Sequence, residues 1–460
     1  MKILFAIHDL SYADHVAVAY LSSIAKQLGH TTYFCTLTKE PFCNLDLLTT
    51  VSELKPDIVA YSINIIGFQK AVELNKEAKK IHNFISILGG PQATFSPNTF
   101  SESGMDVYCI GEGEYAFRDF LICIEKGESF DDIPNLITPV SNNPVRNLIN
   151  LSELPPADRD LILSSTSLSK LPKKTFYTSR GCPFQCTYCC NDYYHNLYKG
   201  KGSVVRKFPV NTLINEMLTV KDRYRMDFIK FGDDCFVTKV DDWLLELCDL
   251  YSTYIKIPFN CYLRLDTVND DLLSVLKKMG CYSVHLSVDS TSRYIRETVL
   301  KRRMITDNLI DKLKLIKSYG INTWVNYMLA IPESTLQDDL DTIKYSREGK
   351  VTYPNYTTTV PMEGTTLYKY TVEHNILDTT DYQGDMSGCN ERSVLTSFSK
   401  KEKDIRFNVY LLGAFIAKLP NPLYKLFLSL IKIIPPNKVF MWIRKLLYKY
   451  YVENKIFKLK

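Results

Sequence analysis

The 460-residue chain has no apolar run of the length a membrane span needs, no internal repeat and no low-complexity segment. It also lacks a dense cysteine framework: its 13 cysteines are an odd number, scattered through predicted strands and helices. That argues against a disulfide-stapled secreted fold and for a reducing compartment, with most thiols as small buried hydrophobes. Met1-Lys2-Ile3-Leu4-Phe5 opens straight into a predicted strand, not a secretory leader, so the expected location is cytoplasmic. The loop after that strand, residues 8–13, lacks G-x-G-x-x-G, which disfavours a dinucleotide site. Acidic residues are scarce at one end. Residues 401–460 hold 13 Lys and Arg against 3 Asp and Glu, while the remainder holds 43 against 48. Such asymmetry points to an anionic partner for the tail.

What is present reads as an α/β chain of several domains. Over residues 1–128, strands at 2–7, 31–36, 57–62, 84–88 and 107–110 alternate with helices at 14–28 and 68–81, which predicts a Rossmann-like doubly wound parallel sheet. Its glycine-rich turns, residues 89–91 and 111–114, fall at strand ends where a ligand of such a sheet binds. His8 reads as a polar strand-end residue. Residues 129–169 form a proline-rich connector. Over 170–375 the alternation resumes, with strands at 175–179, 227–231, 259–263, 283–287, 323–329 and 356–359, which predicts a partial (β/α)6 barrel. Residues 376–460 form a helical basic C-terminal region.

The centre of the pattern is Arg180-Gly181-Cys182-Pro183-Phe184-Gln185-Cys186-Thr187-Tyr188-Cys189. Cys182, Cys186 and Cys189 stand at C-x3-C-x2-C spacing just after a predicted strand. Three thiolates on one tight loop suit three irons of a four-iron cluster and leave the fourth iron open. A zinc site is the alternative, with Cys190 or His195 as fourth ligand.

This loop resembles the signature of the radical S-adenosylmethionine (SAM) superfamily. The resemblance implies a [4Fe-4S] cluster whose open iron holds SAM, a one-electron reductant such as a flavodoxin or ferredoxin, and a 5′-deoxyadenosyl radical. It puts Tyr188 near the adenine. Further strand ends are similar to the family's: Phe231-Gly232-Asp233-Asp234-Cys235-Phe236, a stretch with Asp289 and Ser290 where the family reads G-x-E-S, Ile331-Pro332-Glu333-Ser334, and Pro361-Met362-Glu363-Gly364-Thr365. By that likeness Asp233, Asp234, Asp289, Ser290 and Pro332 are SAM-binding candidates, with Arg264 able to meet a carboxylate. The first domain looks like the cobalamin-binding domain that precedes many radical SAM barrels, with Ser62, Asn64, Gly89, Gly90, Gly111, Glu112 and Gly113 as contact candidates. It lacks D-x-H-x-x-G, so cobalt would be held without a histidine from that motif. The alternative is a Rossmann-like domain that has lost its cofactor.

The family reading implies a cobalamin-dependent radical SAM enzyme that methylates an unactivated carbon of a small-molecule or lipid-like substrate. Rearrangement or cyclisation without methyl transfer is the runner-up. An RNA methylthiotransferase would need cluster cysteines in the first domain, where Cys35, Cys43, Cys109 and Cys123 form no recognisable motif. A cobalamin-sensing or redox module is the non-enzyme alternative. In the tail, Leu423, Leu426, Phe427, Leu430, Ile431 and Ile434, then Val439, Ile443, Leu446, Leu447 and Tyr450, make two apolar stripes at helical spacing with lysines opposite. Either they dock on the barrel or residues 420–460 make peripheral contact with the inner face of a membrane. The continuous apolar stripes disfavour nucleic acid.

Overall fold

Strand β1 (Lys2–Ile7) is apolar without alternation, and Ile3 to Ile7 are at most 1% exposed, as suits a strand covered on both faces. It pairs in parallel with β2 (Thr31–Thr36) on one side and β3 (Ile58–Ser62) on the other. The sheet continues through β4 (Ile85–Gly89) and β5 (Val107–Cys109) to a short antiparallel edge, β6 (Leu136–Ile137), in the order β2-β1-β3-β4-β5-β6. The order reverses between β1 and β3, and the crevice at that switch point is where such sheets bind ligands. The helix Ile65–Ile81 starts there, capped by Asn64, whose Oδ1 accepts from the Gly67 amide at 3.1 Å.

In this computed structural model, which describes residues 1–8, 10, 15–304, 308–378, 380, 382 and 386–459, two units separate. The first contains residues 1–171 and 193–225, the second 172–192 and 226–460. Most of the loop after β1, and Asp14 at the predicted helix start, lie outside the described residues; the helix is described as Val16–Gln27. The connector is structured. It supplies β6, and its buried Arg159 pairs with Glu216 at 3.3 Å, on the helix Val210–Arg223. That ion pair helps explain why the helix clusters with the first unit.

The second unit is a six-stranded parallel open barrel: β7 (Lys173–Phe176), β8 (Phe228–Phe231), β9 (Phe259–Tyr262), β10 (Cys281–Asp289), β11 (Asn322–Leu329) and β12 (Tyr353–Thr358), neighbouring in that sequence. The strands match the predicted set with shifted ends. β7 stops at Phe176 because Thr178 and Ser179 leave the ladder for a side-chain carboxylate described below. β12 begins earlier than expected and admits Pro354 because it is an edge strand.

The helical C-terminal region begins with a helix over Lys400–Ile416 that no apolar stripe in the sequence singles out. It buries Ile405, Val409, Leu412 and Ile416, and an added Cβ at Gly413 would lie 2.5 Å from the Tyr356 ring, so the helix backbone lies almost on β12. Helices Asn421–Leu430 and Lys438–Tyr448 follow. Residues after them cover the strand N-termini: Ser283 Oγ donates to the Ile456 carbonyl at 2.5 Å, and Phe457 sits edge-on to Phe228 at 5.9 Å. Among the described residues no helix is long and apolar enough to cross a membrane.

Candidate active site

The cysteine loop is hung from the end of β8. Asp233 is 2% exposed, and its Oδ1 accepts four bonds: the Thr178 amide and hydroxyl at 2.9 Å each, and the Ser179 amide and hydroxyl at 2.6 Å each. Among the described residues its Oδ2 is buried with no hydrogen-bond partner. Burial pushes the carboxyl up to about 6 even against those four donors. Past this anchor Gly181 turns at φ +81°, a left-handed conformation that favours glycine. The loop is then pinned by Thr187, whose amide and hydroxyl donate to the Leu300 and Val299 carbonyls at 3.0 and 2.8 Å.

The three loop thiols have different surroundings. Burial pushes Cys182 up to about 12 and raises Cys186, which is 6% exposed. Cys189 falls to about 7 because the Cys190 thiol and Asn191 donate to it, the Asn191 amide at 3.6 Å. Cys190 moves up correspondingly. Of the adjacent pair, Cys189 is therefore the readier thiolate. Among the described residues no three His, Cys, Asp or Glu side chains converge as one metal ion requires. A cubane needs no such convergence, since each thiolate takes its own iron at a separate corner, whereas zinc would need a tetrahedron about one point. Three soft donors on one braced loop fit the cluster.

In the first unit, Ser62 lies opposite Gly89 across β3 and β4. Gly90 turns at φ +87°, with Ile63 backbone 3.1 Å from where a Cβ would stand. Gly111 has a different reason to be glycine. At φ +72°, its Cβ would lie 2.0 Å from the Tyr198 hydroxyl oxygen, which accepts from the Glu112 amide at 2.7 Å. The Glu112 carboxylate is gripped by Arg206 through two bonds of 2.6 and 2.9 Å and by the Ile149 amide at 3.1 Å. Gly113 precedes the helix Glu114–Lys126, with Cys109 Sγ 3.3 Å from an added Cβ. His8 packs directly over Gly67, where a Cβ would come within 2.5 Å of it, so it fills space at the switch point. Cys35 and Cys109 are buried with raised thiols, Cys109 to about 12, and offer no second cluster loop.

A radical SAM superfamily model matches residues 176–345 and a B12 binding domain model matches residues 7–121. An uncharacterized methyltransferase of Pyrococcus horikoshii is 27% identical, over 80% of this chain and 80% of its own. The chain belongs to the cobalamin-binding radical SAM enzymes. Solved structures share the fold over most of the chain. The radical SAM methyltransferase TsrM of Kitasatospora setae, solved with cobalamin and a [4Fe-4S] cluster bound, superposes with a TM-score of 0.64 at 14% identity, covering 81% of this chain and 78% of its own. The cobalamin-dependent SAM radical enzyme OxsB reaches 0.69 at 17%, covering 98% and 72%. The enzyme's cofactors are a [4Fe-4S] cluster, SAM and cobalamin.

The remaining candidates divide within the enzyme's barrel. Asp234 is exposed beside Asp233 and faces Asn191, and its carboxyl is raised by its surroundings. Ser290 is buried in a turn, its hydroxyl accepting from the Ser292 amide at 3.2 Å and its carbonyl from Arg296 at 2.8 Å. Pro332 is buried between Ala330 and Glu333, both at positive φ. Two of the candidates are engaged within the barrel. Arg264 already has its carboxylate: its Nε donates to Asp266 at 2.7 Å and its guanidinium lies 3.8 Å over the Phe184 ring, so it braces the cysteine loop. Asp289 has both oxygens engaged within the barrel. Ser287 donates to Oδ1, and the Tyr188 hydroxyl donates to Oδ2 at 2.8 Å.

Sequence reasoning missed Arg302, which completes that network. Its Nε is 2.9 Å from Asp289 Oδ2, close enough for an ion pair but without the alignment of a hydrogen bond. Its Nη1 reaches Tyr188 Oη at 3.3 Å and Cys186 Sγ at 3.8 Å, and its Nη2 donates to the Ser287 carbonyl at 3.0 Å. Lys301-Arg302-Arg303 reads locally as solvated charge, so nothing in the sequence marks it.

Proposed function

We propose that the enzyme methylates an unactivated carbon, with Cys182, Cys186 and Cys189 carrying the cluster. The observation that carries the reading is the braced three-thiol loop beside a buried, unpartnered carboxylate oxygen on Asp233, in a chain that also holds the B12-type sheet. When bound, the cluster with SAM would supply a 5′-deoxyadenosyl radical for hydrogen abstraction, and cobalamin would supply a methyl group. Asp233 Oδ2 accepts from the SAM ammonium group while Oδ1 keeps the loop in place. Asp234, Tyr188, Ser290 and Pro332 form the rest of the SAM wall. Asp289 acts behind Tyr188, fixing its phenol. Ser62, Asn64, Gly89 and Gly90 contact the corrin at the β3 and β4 ends, while Gly111, Glu112 and Gly113 shape the neighbouring turn. A low-potential one-electron donor of flavodoxin or ferredoxin type works with the enzyme in the cytoplasm.

The test needs no knowledge of the substrate. Anaerobic protein loaded with iron, sulfide and hydroxocobalamin, then given SAM and dithionite, is expected to form both 5′-deoxyadenosine and S-adenosylhomocysteine. Deoxyadenosine alone would support cyclisation or rearrangement without methyl transfer. Absence of both would sink the radical reading.

The tail supports a second proposal, peripheral contact with an anionic membrane where a lipid-like substrate resides. Residues 405–452 contain no Asp or Glu. Neither helix Asn421–Leu430 nor helix Lys438–Tyr448 has a buried residue, and Ile433, Val439 and Trp442 are 78%, 62% and 61% exposed. The docked side of the second helix is held by Arg444, whose guanidinium lies 3.6 Å over the Tyr410 ring, which leaves much of the apolar stripe outward. Each basic residue near an anionic surface contributes about 1 kcal/mol, and the outward apolar residues add to it. Cutting the chain near Lys400 would remove the buried helix that covers β12, so the informative variant is full length. Ile433→Ser/Val439→Ser/Trp442→Ser is expected to stay in the soluble fraction when the wild type floats with phosphatidylserine vesicles and is released by salt. Equal flotation, or none by either, would leave the tail as a structural cover only.

A further inference from the structure

We propose that Arg302 is a positioning residue that raises the reduction potential of the cluster by acting on the Cys186 sulfur; this rests on the assignment of Cys182, Cys186 and Cys189 as ligands.

Arg302 is held on every side. All three guanidinium nitrogens face groups of the fold: Asp289, the Ser287 carbonyl, the Tyr188 hydroxyl and Cys186 Sγ. Its backbone amide is also tied, donating to the Arg296 carbonyl at 2.7 Å. The side chain is 12% exposed. A guanidinium so engaged has little left for a substrate carboxylate, yet it keeps its charge at any working pH. Its counter-ion is unevenly placed. Asp289 meets the Nε edge and the Tyr188 phenol, whereas the Nη1 corner points at the ligand sulfur.

Reduction brings one electron from a low-potential donor, and the cluster with its thiolates becomes one charge more negative. A fixed cation and an N–H donor at a ligand sulfur stabilise the more negative form, and low local dielectric enlarges the effect. The arrangement therefore favours acceptance of that electron. Asp289 partly cancels the cation by its own charge, while Arg302 is also held by the Ser287 carbonyl and the Tyr188 hydroxyl, so neutralising Asp289 leaves the guanidinium in place.

The experiment is an EPR-monitored redox titration of the reconstituted full-length enzyme without SAM, with iron content measured in parallel. Arg302→Gln should keep about four irons per chain and lower the midpoint. The reduced-to-oxidised ratio at a fixed potential should fall at least tenfold, equal to about 59 mV for one electron. Arg302→Lys, which keeps a charge but loses the fork, should fall less. Asp289→Asn removes the counter-charge and should move the midpoint upward, an opposite shift that general loosening of the site would not produce. Should Arg302→Gln fail to fold, the lysine and Asp289→Asn variants still decide. Unchanged midpoints, or a downward shift in Asp289→Asn, would overturn the tuning. An EPR-active cluster that survives Cys182→Ala/Cys186→Ala/Cys189→Ala would overturn the ligand assignment beneath it.

Discussion

Cys186→Ala is expected to leave the enzyme without a stable [4Fe-4S] signal and with 5′-deoxyadenosine formation at background, while Cys190→Ala keeps both. The two cysteines lie on one short stretch and are chemically alike, so the contrast isolates position. Cys186 is buried and faces the guanidinium of Arg302, and its backbone carbonyl takes the Cys189 amide at 3.0 Å, so it sits at the inner bend of the loop. Its loss leaves an iron corner without a thiolate. Cys190 holds its proton and donates to Cys189. Removing it takes away a group that donates to a ligand rather than a ligand itself, a loss of up to about 10–100-fold in affinity or activity that leaves the cluster in place. Iron and sulfide analysis after anaerobic reconstitution, with product measured by chromatography, checks both halves. Loss of iron in Cys190→Ala together with retention in Cys186→Ala would reverse the ligand assignment.

Arg406→Met is expected to destabilise the barrel by about 3–5 kcal/mol, read as a lower urea midpoint. Arg406 is 1% exposed in the helix Lys400–Ile416, and its Nε binds Asp339 Oδ2 at 2.5 Å. The same oxygen accepts from the Ala330 amide at 3.2 Å, in the turn that carries Pro332. Methionine fills similar space but strands the carboxylate. Burial already pushes Asp339 up to about 6 despite the arginine, so its loss raises that carboxyl further. A raised carboxyl is protonated in the folded chain before the unfolded one, so stability falls as pH rises through its folded pKa. The variant's deficit should therefore be smaller at pH 5 than at pH 8. Arg406→Met/Asp339→Leu, which removes both charges, should recover most of the loss; no recovery would place the cost in packing instead.

These contacts show what sequence could and could not convey. The cysteine loop, the strand-end motifs and the six-unit alternation are local patterns, and each is found where the spacing put it. The tail's two apolar stripes were legible for the same reason, but not which way they face. Arg302, Tyr198, Arg206 and Arg406 act on partners far along the chain, so their neighbours in sequence say nothing of their partners in space. Gly111 looked like an approach point for a ligand, and only the Tyr198 ring above it shows another cause. The helix Lys400–Ile416 escaped notice because it is buried on most sides and carries Arg406 and Asn408 inside, which blurs any amphipathic stripe.

The covering of the strand N-termini by Val452, Ile456 and Phe457 has a consequence for how the protein is made. Chains fold as the ribosome delivers them, at ~5–20 residues per second, so on the order of 10 to 60 s separate the appearance of Cys189 from that of Phe457. The first unit's sheet can close during that interval, since all its strands lie before residue 140. The barrel cannot. Its underside stays open until the residues through 457 emerge, and for that time three thiols stand on a loop whose supporting wall is still being translated. Nascent chains of this enzyme thus depend on a reducing surrounding before any iron arrives, and slow translation of the tail lengthens their exposure.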